Sequence, residues 1–196
     1  DGHNVSAWMV QSKQEKADEL YDKYYAPYGM DKRSVNLPEK TFEFTAGHVL
    51  AEEGVWPRQI TDLKGIQGDT SDNIPGVKGV ASAAPILLGE YGTIEEIYAA
   101  IHEAEKDKAS LKELQDFWKS GLGISRSPYK ALTKTGEEDE LCGEAAALLS
   151  KQLATIKTDI AIEETLDDFH VSGYDEDKLK AWCRKLDIKE ESVFGK

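Results

Sequence analysis

A mainly helical fold with very few strands is predicted for this chain of 196 residues. Apolar residues recur at three- and four-residue spacing through most of its length. Glycine and proline punctuate those stretches, and only two short segments read as strands. The chain is 40% hydrophobic, which suits a globular protein with one sizeable core. No apolar run approaches the roughly 18 residues that a membrane helix needs, and no leader pattern opens the chain, so no membrane partner is expected. The two cysteines, Cys142 and Cys183, have no metal-ligand spacing, and a reducing compartment follows.

The elements run as follows. The segment "VSAWMV" reads as a strand, and "SKQEKADELYDKYYAPYG" as a polar helix ended by Pro27 and Gly29. Tyr21, Tyr24, Tyr25 and Tyr28 have helical spacing, which suits packing or a stacking platform. Residues 1–40 as a whole receive no assignment. "TFEFT" alternates as a strand, after which Thr45 caps a helix that Gly54 stops. Pro57 opens the next helix, with Ile60, Leu63 and Ile66 on one face, and Asn73, Pro75 and Gly76 break it. "SAAPILLGEYG" is a helix provided that Pro85 lies in its first turn. Thr93 and Glu96 form a capping box for the next helix, and "ASLKELQDFWKSG" is amphipathic. The stretch 119–134 carries Lys119, Arg126, Lys130 and Lys134 without one acid, and reads as a mobile basic loop. Helices over about 138–188 and a tail at 189–196 complete the chain. Trp56, Trp118 and Trp182 are expected in the core.

A net charge of −13 argues against a phosphate-rich partner. Screening over about 8 Å lets a local feature override that far field. Asp69 and Asp72 are such a feature. At helical spacing their Cβ atoms lie roughly 5–6 Å apart, and two such charges repel unless something positive is shared between them. Mg²⁺ or Mn²⁺ would serve; as an alternative, these are turn and cap residues. Next to them "IPGVKGVAS" places Gly76 and Gly79 at a tight turn before a helix, where outward N–H groups make an uncharged nest for phosphate.

The whole stretch "DLKGIQGDTSDNIPGVKGV" closely resembles the helix–hairpin–helix region of the 5′-nuclease family: flap endonucleases and the 5′-3′ exonuclease domains of bacterial DNA polymerase I with their stand-alone relatives. "EYGTIEE" follows in the matching place, and "LLSKQLATIKTDIAIEETLDDF" is a second ordered match far downstream. The resemblance covers about residues 41–188, with the helix–hairpin–helix at about 57–92. It implies a mainly α, helix-rich C-terminal portion of such a nuclease. Asp69 and Asp72 match the last two acidic metal ligands. Gly76, Val77, Lys78, Gly79, Val80, Ala81 and Ser82 match the hairpin that grips duplex backbone, with K⁺ on its carbonyls. The implied activity is two-metal hydrolysis of DNA near a 5′ end or flap, in the cytoplasm of a bacterial or phage-infected cell. A polymerase is an implied partner.

Three departures stand out. The family has a glycine where this chain has Ala81 and a lysine where it has Ala83. Ala81 is tolerable only with a negative φ, and losing the lysine is expected to weaken DNA binding. The interval to the second match is long, and Arg126 and Lys130 in the extra stretch are candidates for a replacement DNA contact, the alternative being a solvated loop. The family's N-terminal half is not recognised, so that half is expected in the same or another chain, and the isolated chain is expected to cut poorly. A non-catalytic duplex-binding module and an acidic protein-interaction domain are the alternatives; Ser71 and Asn73 beside the aspartates favour the nuclease.

Overall fold

The computed structural model describes residues 6–29, 37–136, 140–169 and 173–194. These form two compact units, Asp1–Ile156 and Lys157–Lys196. The expected helical architecture is found. Strand β1 (Ala7–Val10) pairs antiparallel with β2 (Thr41–Phe44), Ala7 opposite Phe44 and Val10 opposite Thr41. Helix α1 (Gln14–Tyr24) covers this ribbon, with Ala17 and Phe42 wholly buried. Its tyrosines are packing residues: Tyr21 meets Phe42 edge-on at 5.0 Å between ring centroids, and Tyr24 lies 4.6 Å from the His48 ring. Tyr28 alone of the four stays largely exposed. Helix α2 (Ala46–Glu53) starts after Thr45, whose backbone N–H donates to His48 Nδ1 at 3.1 Å, and ends at Gly54 in the left-handed region.

The larger part of the first unit is a helical cluster. A short turn at Pro57–Gln59 leads into α3 (Ile60–Gln67), followed by α4 (Ala84–Tyr91), α5 (Ile94–Ala104) and α6 (Lys108–Asp116). Helix termini leave backbone groups without intrahelical partners, and side chains satisfy them here. Buried Gln59 donates to the carbonyls of Leu88 and Gly92 at 2.8 and 2.9 Å, closing α4. Thr93 and Glu96 form the expected capping box of α5, and Pro85 occupies the first turn of α4. Leu87, Leu88, Ile94, Ile97, Ile101 and Trp118 fill the core.

The stretch 119–134 is not an open loop. The residues Phe117–Gly121 wind into a π-turn, and a short helix α7 (Tyr129–Leu132) follows. Ile124 and Leu132 are core side chains that tie the segment down. Helix α8 begins at Gly143, where a Cβ would strike the Leu132 carbonyl, and runs to Ala154. It crosses α3 at Gly65, where an added Cβ would lie 3.1 Å from the Ala147 carbonyl oxygen and 2.5 Å from Ile94 Cδ1.

The second unit holds α9 (Glu176–Lys185) and α10 (Glu190–Phe194). Asp175 caps α9 by accepting the Lys178 N–H at 3.0 Å. Of the three tryptophans expected in the core, two depart from expectation. Trp118 is core, but Trp56 is 44% and Trp182 52% exposed. Trp56 precedes its helix, and the Trp182 ring is covered by the Lys185 ammonium at 4.5 Å, which satisfies the ring face without burial. Among the described residues no helix is long and apolar enough to cross a membrane.

Two glycine substitutions should separate packing from propensity. Gly65→Ala should destabilise the first unit by about 1–3 kcal/mol through overpacking against α8. Gly89→Ala in α4, where the new methyl meets nothing within 4 Å, should stabilise by about 0.5–1 kcal/mol. Urea unfolding of both variants checks the opposite signs.

Candidate functional site

The site forms where α3 stops. Gly68 takes φ +76°, turning the chain out of the helix. Asp69 and Ile74 then exchange two backbone hydrogen bonds, at 2.9 and 2.8 Å, around a turn in which Asn73 adopts φ +55°. Asp69 Oδ1 accepts from the Ser71 N–H at 3.0 Å and from its hydroxyl at 2.5 Å, so the first aspartate is held rigidly by its own turn.

The two carboxylates share a positive charge, as like charges so close must. It is the ammonium of Lys64, one turn back in α3, at 2.7 Å from Asp69 Oδ2 and 3.8 Å from Asp72 Oδ2. The Lys64 contact first, and the Ser71 hydroxyl second, hold the Asp69 carboxyl far below the usual carboxylate range. Asp69 in turn raises Lys64. Asp72 is more exposed than Asp69. Among the described residues, no group of three or more His, Cys, Asp or Glu side chains is placed to hold a metal ion.

The hairpin packs directly on this turn. A Cβ on Gly76 (φ +61°) would lie 2.7 Å from Gly68 Cα, so the two segments touch backbone to backbone and both positions need glycine. The Val77 N–H donates to the Ile66 carbonyl at 2.7 Å, and the Gly76 N–H to the wholly buried hydroxyl of Ser150 in α8 at 3.0 Å. Val77 and Val80 are core side chains. Lys78, Gly79, Ala81 and Ser82 are exposed, and among the described residues their N–H groups donate no hydrogen bond. The free donors of the hairpin are therefore these four, while those of Gly76 and Val77 are spent on the fold.

Gln67 joins the two parts by donating to the Ala81 carbonyl at 2.9 Å. A shallow, open depression of about 570 Å³ runs between them, lined on one side by Asp69 and Thr70 and on the other by Ala81 and Ser82. Carboxylate and hairpin thus share one concave surface. Ala81 avoids the left-handed region, the condition under which alanine is tolerable there. Position 83 differs from expectation: Ala83 is 4% exposed and packs in the core, so a side chain at that position meets the protein interior and not a phosphate. Arg126 and Lys130 are exposed but do not line the depression.

Lys64 and Ser150 were not anticipated. Lys64 stands five residues before Asp69, a spacing that brings side chains together only because α3 ends between them. Ser150 is 74 residues from Gly76 and leaves no local signal.

Comparison with known proteins finds relatives over most of the chain. Residues 55–122 match the family model described as 5′-3′ exonuclease, C-terminal SAM fold. The chain is 34% identical over 146 residues to DNA polymerase I of Bacillus caldotenax, covering 73% of this chain and 13% of that protein. It is 31% identical over 172 residues to DNA polymerase I of Bacillus subtilis (strain 168), covering 84% and 16%. With DNA polymerase I of Geobacillus stearothermophilus it shares 36% identity over 170 residues, covering 80% and 16%. The chain therefore spans only about a seventh of the length of these relatives.

Ser150→Ala should leave a buried N–H without an acceptor and cost about 1–3 kcal/mol in urea unfolding. Replacing Lys64 by methionine should raise the Asp69 titration midpoint toward the ordinary carboxylate range, read by carboxyl ¹³C NMR. Because the folded pKa of Asp69 is depressed, the stability it contributes is full at neutral pH and is lost as pH falls below about 4. Lys64→Met should flatten that acid limb.

Proposed function

Since residues 55–122 carry the 5′-3′ exonuclease C-terminal SAM fold, we propose that this chain is the duplex-gripping and metal-ligating part of a structure-specific 5′ nuclease acting on DNA. One observation carries the reading: the Asp69 carboxylate and the unpartnered N–H groups at the end of the hairpin line the same depression. A phosphodiester lying there meets backbone donors on one side and Asp69 on the other, with Asp72 outside the depression's lining. Backbone donors recognise any phosphate, so the grip is on shape and not on base sequence. They carry no formal charge, and they work in a chain of net charge −13.

The donor set fits a hard divalent cation in part. Asp69 and Asp72 already converge within 4 Å of one cationic centre, the Lys64 ammonium, and oxygen ligands of this kind suit Mg²⁺ or Mn²⁺. When bound, such ions supply an activated water and neutralise the charge of the leaving oxygen. Two carboxylates make only part of the shells of two ions, so the remaining ligands belong to an N-terminal nuclease half in the assembled enzyme. The residues of this chain orient: Ser71 and Lys64 fix the Asp69 carboxylate, and Ser150 fixes the hairpin against the turn that carries it. The second reading, a duplex-binding module without catalysis, is favoured by Lys64 alone, which neutralises the acidic pair internally.

Mn²⁺ titration followed by NMR separates these readings. Selective broadening of the Gly68–Asp72 amides, abolished by Asp69→Asn, is expected; an unbroadened spectrum would favour the module. In the assembled nuclease Asp69→Asn should depress cleavage far more than duplex affinity. Lys78→Ala should lower the logarithmic salt slope of duplex binding by about 0.9.

A further inference from the structure

The segment 117–134 carries four cations, Lys119, Arg126, Lys130 and Lys134, and no acidic residue, in a chain of net charge −13. Lys134 pairs with Glu140, and the nearby Glu105 is taken up by the Tyr129 hydroxyl at 2.6 Å. Lys119, Arg126 and Lys130 are exposed and form no ion pair among the described residues. This contrasts with Lys23, Lys64 and Lys151, each held by carboxylates.

An aromatic residue opens the same segment. Phe117 is 40% exposed and opens the π-turn, in which the Leu122 N–H donates to the Phe117 carbonyl at 3.0 Å. A Cβ on Gly121 would lie 2.6 Å from the Phe117 ring, so the ring rests against a bare glycine. Its support is rigid. The next residue, Trp118, is wholly buried, and its indole N–H donates to the Tyr91 hydroxyl at 2.8 Å. The Ile124 N–H donates to the Trp118 carbonyl at 2.9 Å, folding the chain back so that Arg126 starts within about 10 Å of the Trp118 backbone.

We propose that Phe117 and Arg126 form a binding surface for single-stranded DNA, the ring stacking on an unpaired base and the guanidinium meeting a flanking phosphate. The proposal rests on the nucleic-acid reading of the hairpin and extends it to a second strand segment. In a duplex the base faces are already covered, so an exposed ring presented with unpaired cations suits a single strand. The exposed carboxylates Glu113 and Asp116 oppose phosphate on the α6 side, so the strand leaves toward Arg126 and Lys130. Helix α4 separates the surface from the hairpin: Ala84 follows the hairpin, Tyr91 contacts Trp118, and eight residues span about 12 Å. A duplex held at the hairpin would leave its unpaired end within reach.

The test is fluorescence anisotropy with the full chain, using labelled oligo-dT and a blunt duplex as separate probes. Phe117→Ala is expected to weaken oligo-dT binding about tenfold while duplex binding changes less than twofold. Arg126→Gln should lower the oligo-dT salt slope by about 0.7. Phe117→Leu keeps apolar bulk over Gly121 and should show the same loss of oligo-dT affinity, which guards against an unfolded alanine variant. Unchanged oligo-dT binding in folded Phe117 and Arg126 variants, with duplex binding intact and sensitive to Lys78→Ala, would overturn this proposal and leave the hairpin reading standing. Failure of the wild-type chain to bind either probe would overturn both.

Discussion

The close crossing of α3 and α8 is the constraint on which the rest of the first unit depends. Gly65 lets the two helices approach until the Ala147 carbonyl and the Lys151 side chain occupy the space a larger residue would need. That approach puts two consecutive residues of α8 to different uses. Ser150, wholly buried, accepts the Gly76 N–H and anchors the hairpin. Lys151 reaches Asp62 in α3 at 2.7 Å and Glu95 in α5 at 2.7 Å, while Asp62 also accepts the Ile94 N–H at 2.9 Å. A buried carboxylate is costly unless paired and hydrogen-bonded, and Asp62 is both. One dipeptide thus fixes the helix that carries Lys64 and the loop that carries the free amides. The depression between them is the consequence.

Charge is handled locally throughout. The acidic balance of the chain would repel a phosphate at long range, but its action is short-ranged in salt. At the depression the cation Lys64 lies between two carboxylates, and attraction for an anion is left to uncharged N–H groups. At 117–134 the arrangement is reversed, with exposed cations and the neighbouring Glu105 engaged by a tyrosine hydroxyl. The same chain therefore presents two electrostatically different surfaces, one built of backbone dipoles and one of side-chain charge.

The two glycines at the site act through close approach as much as through dihedral freedom. Gly68 and Gly76 both sit at positive φ; a Cβ on Gly76 would strike the Gln67–Gly68 backbone, and one on Gly68 the carbonyls of Ile74 and Pro75. Gly79 also has positive φ but faces open space, so its role is conformational alone.

Local signals in the amino-acid order determined a good deal. Thr93 with Glu96, Gly54 and Pro85 placed helix ends correctly, because caps and breakers act over three or four residues, whereas α3 stops at Gln67, short of the break expected at Asn73, Pro75 and Gly76. The pair Asp69 and Asp72, with the glycine hairpin beside it, was legible for the same reason. What tertiary structure alone decided involves distant partners. The Ser150 anchor, the burial of Ala83, the exposure of Trp56 and Trp182, and the folding of 119–134 onto the core all depend on which surface each residue meets. Periodicity shows that a face is apolar but not what covers it. Lys64 lies between these cases: it is close in sequence, yet it reaches both carboxylates only because α3 ends at Gln67 and the next turn brings them back over it.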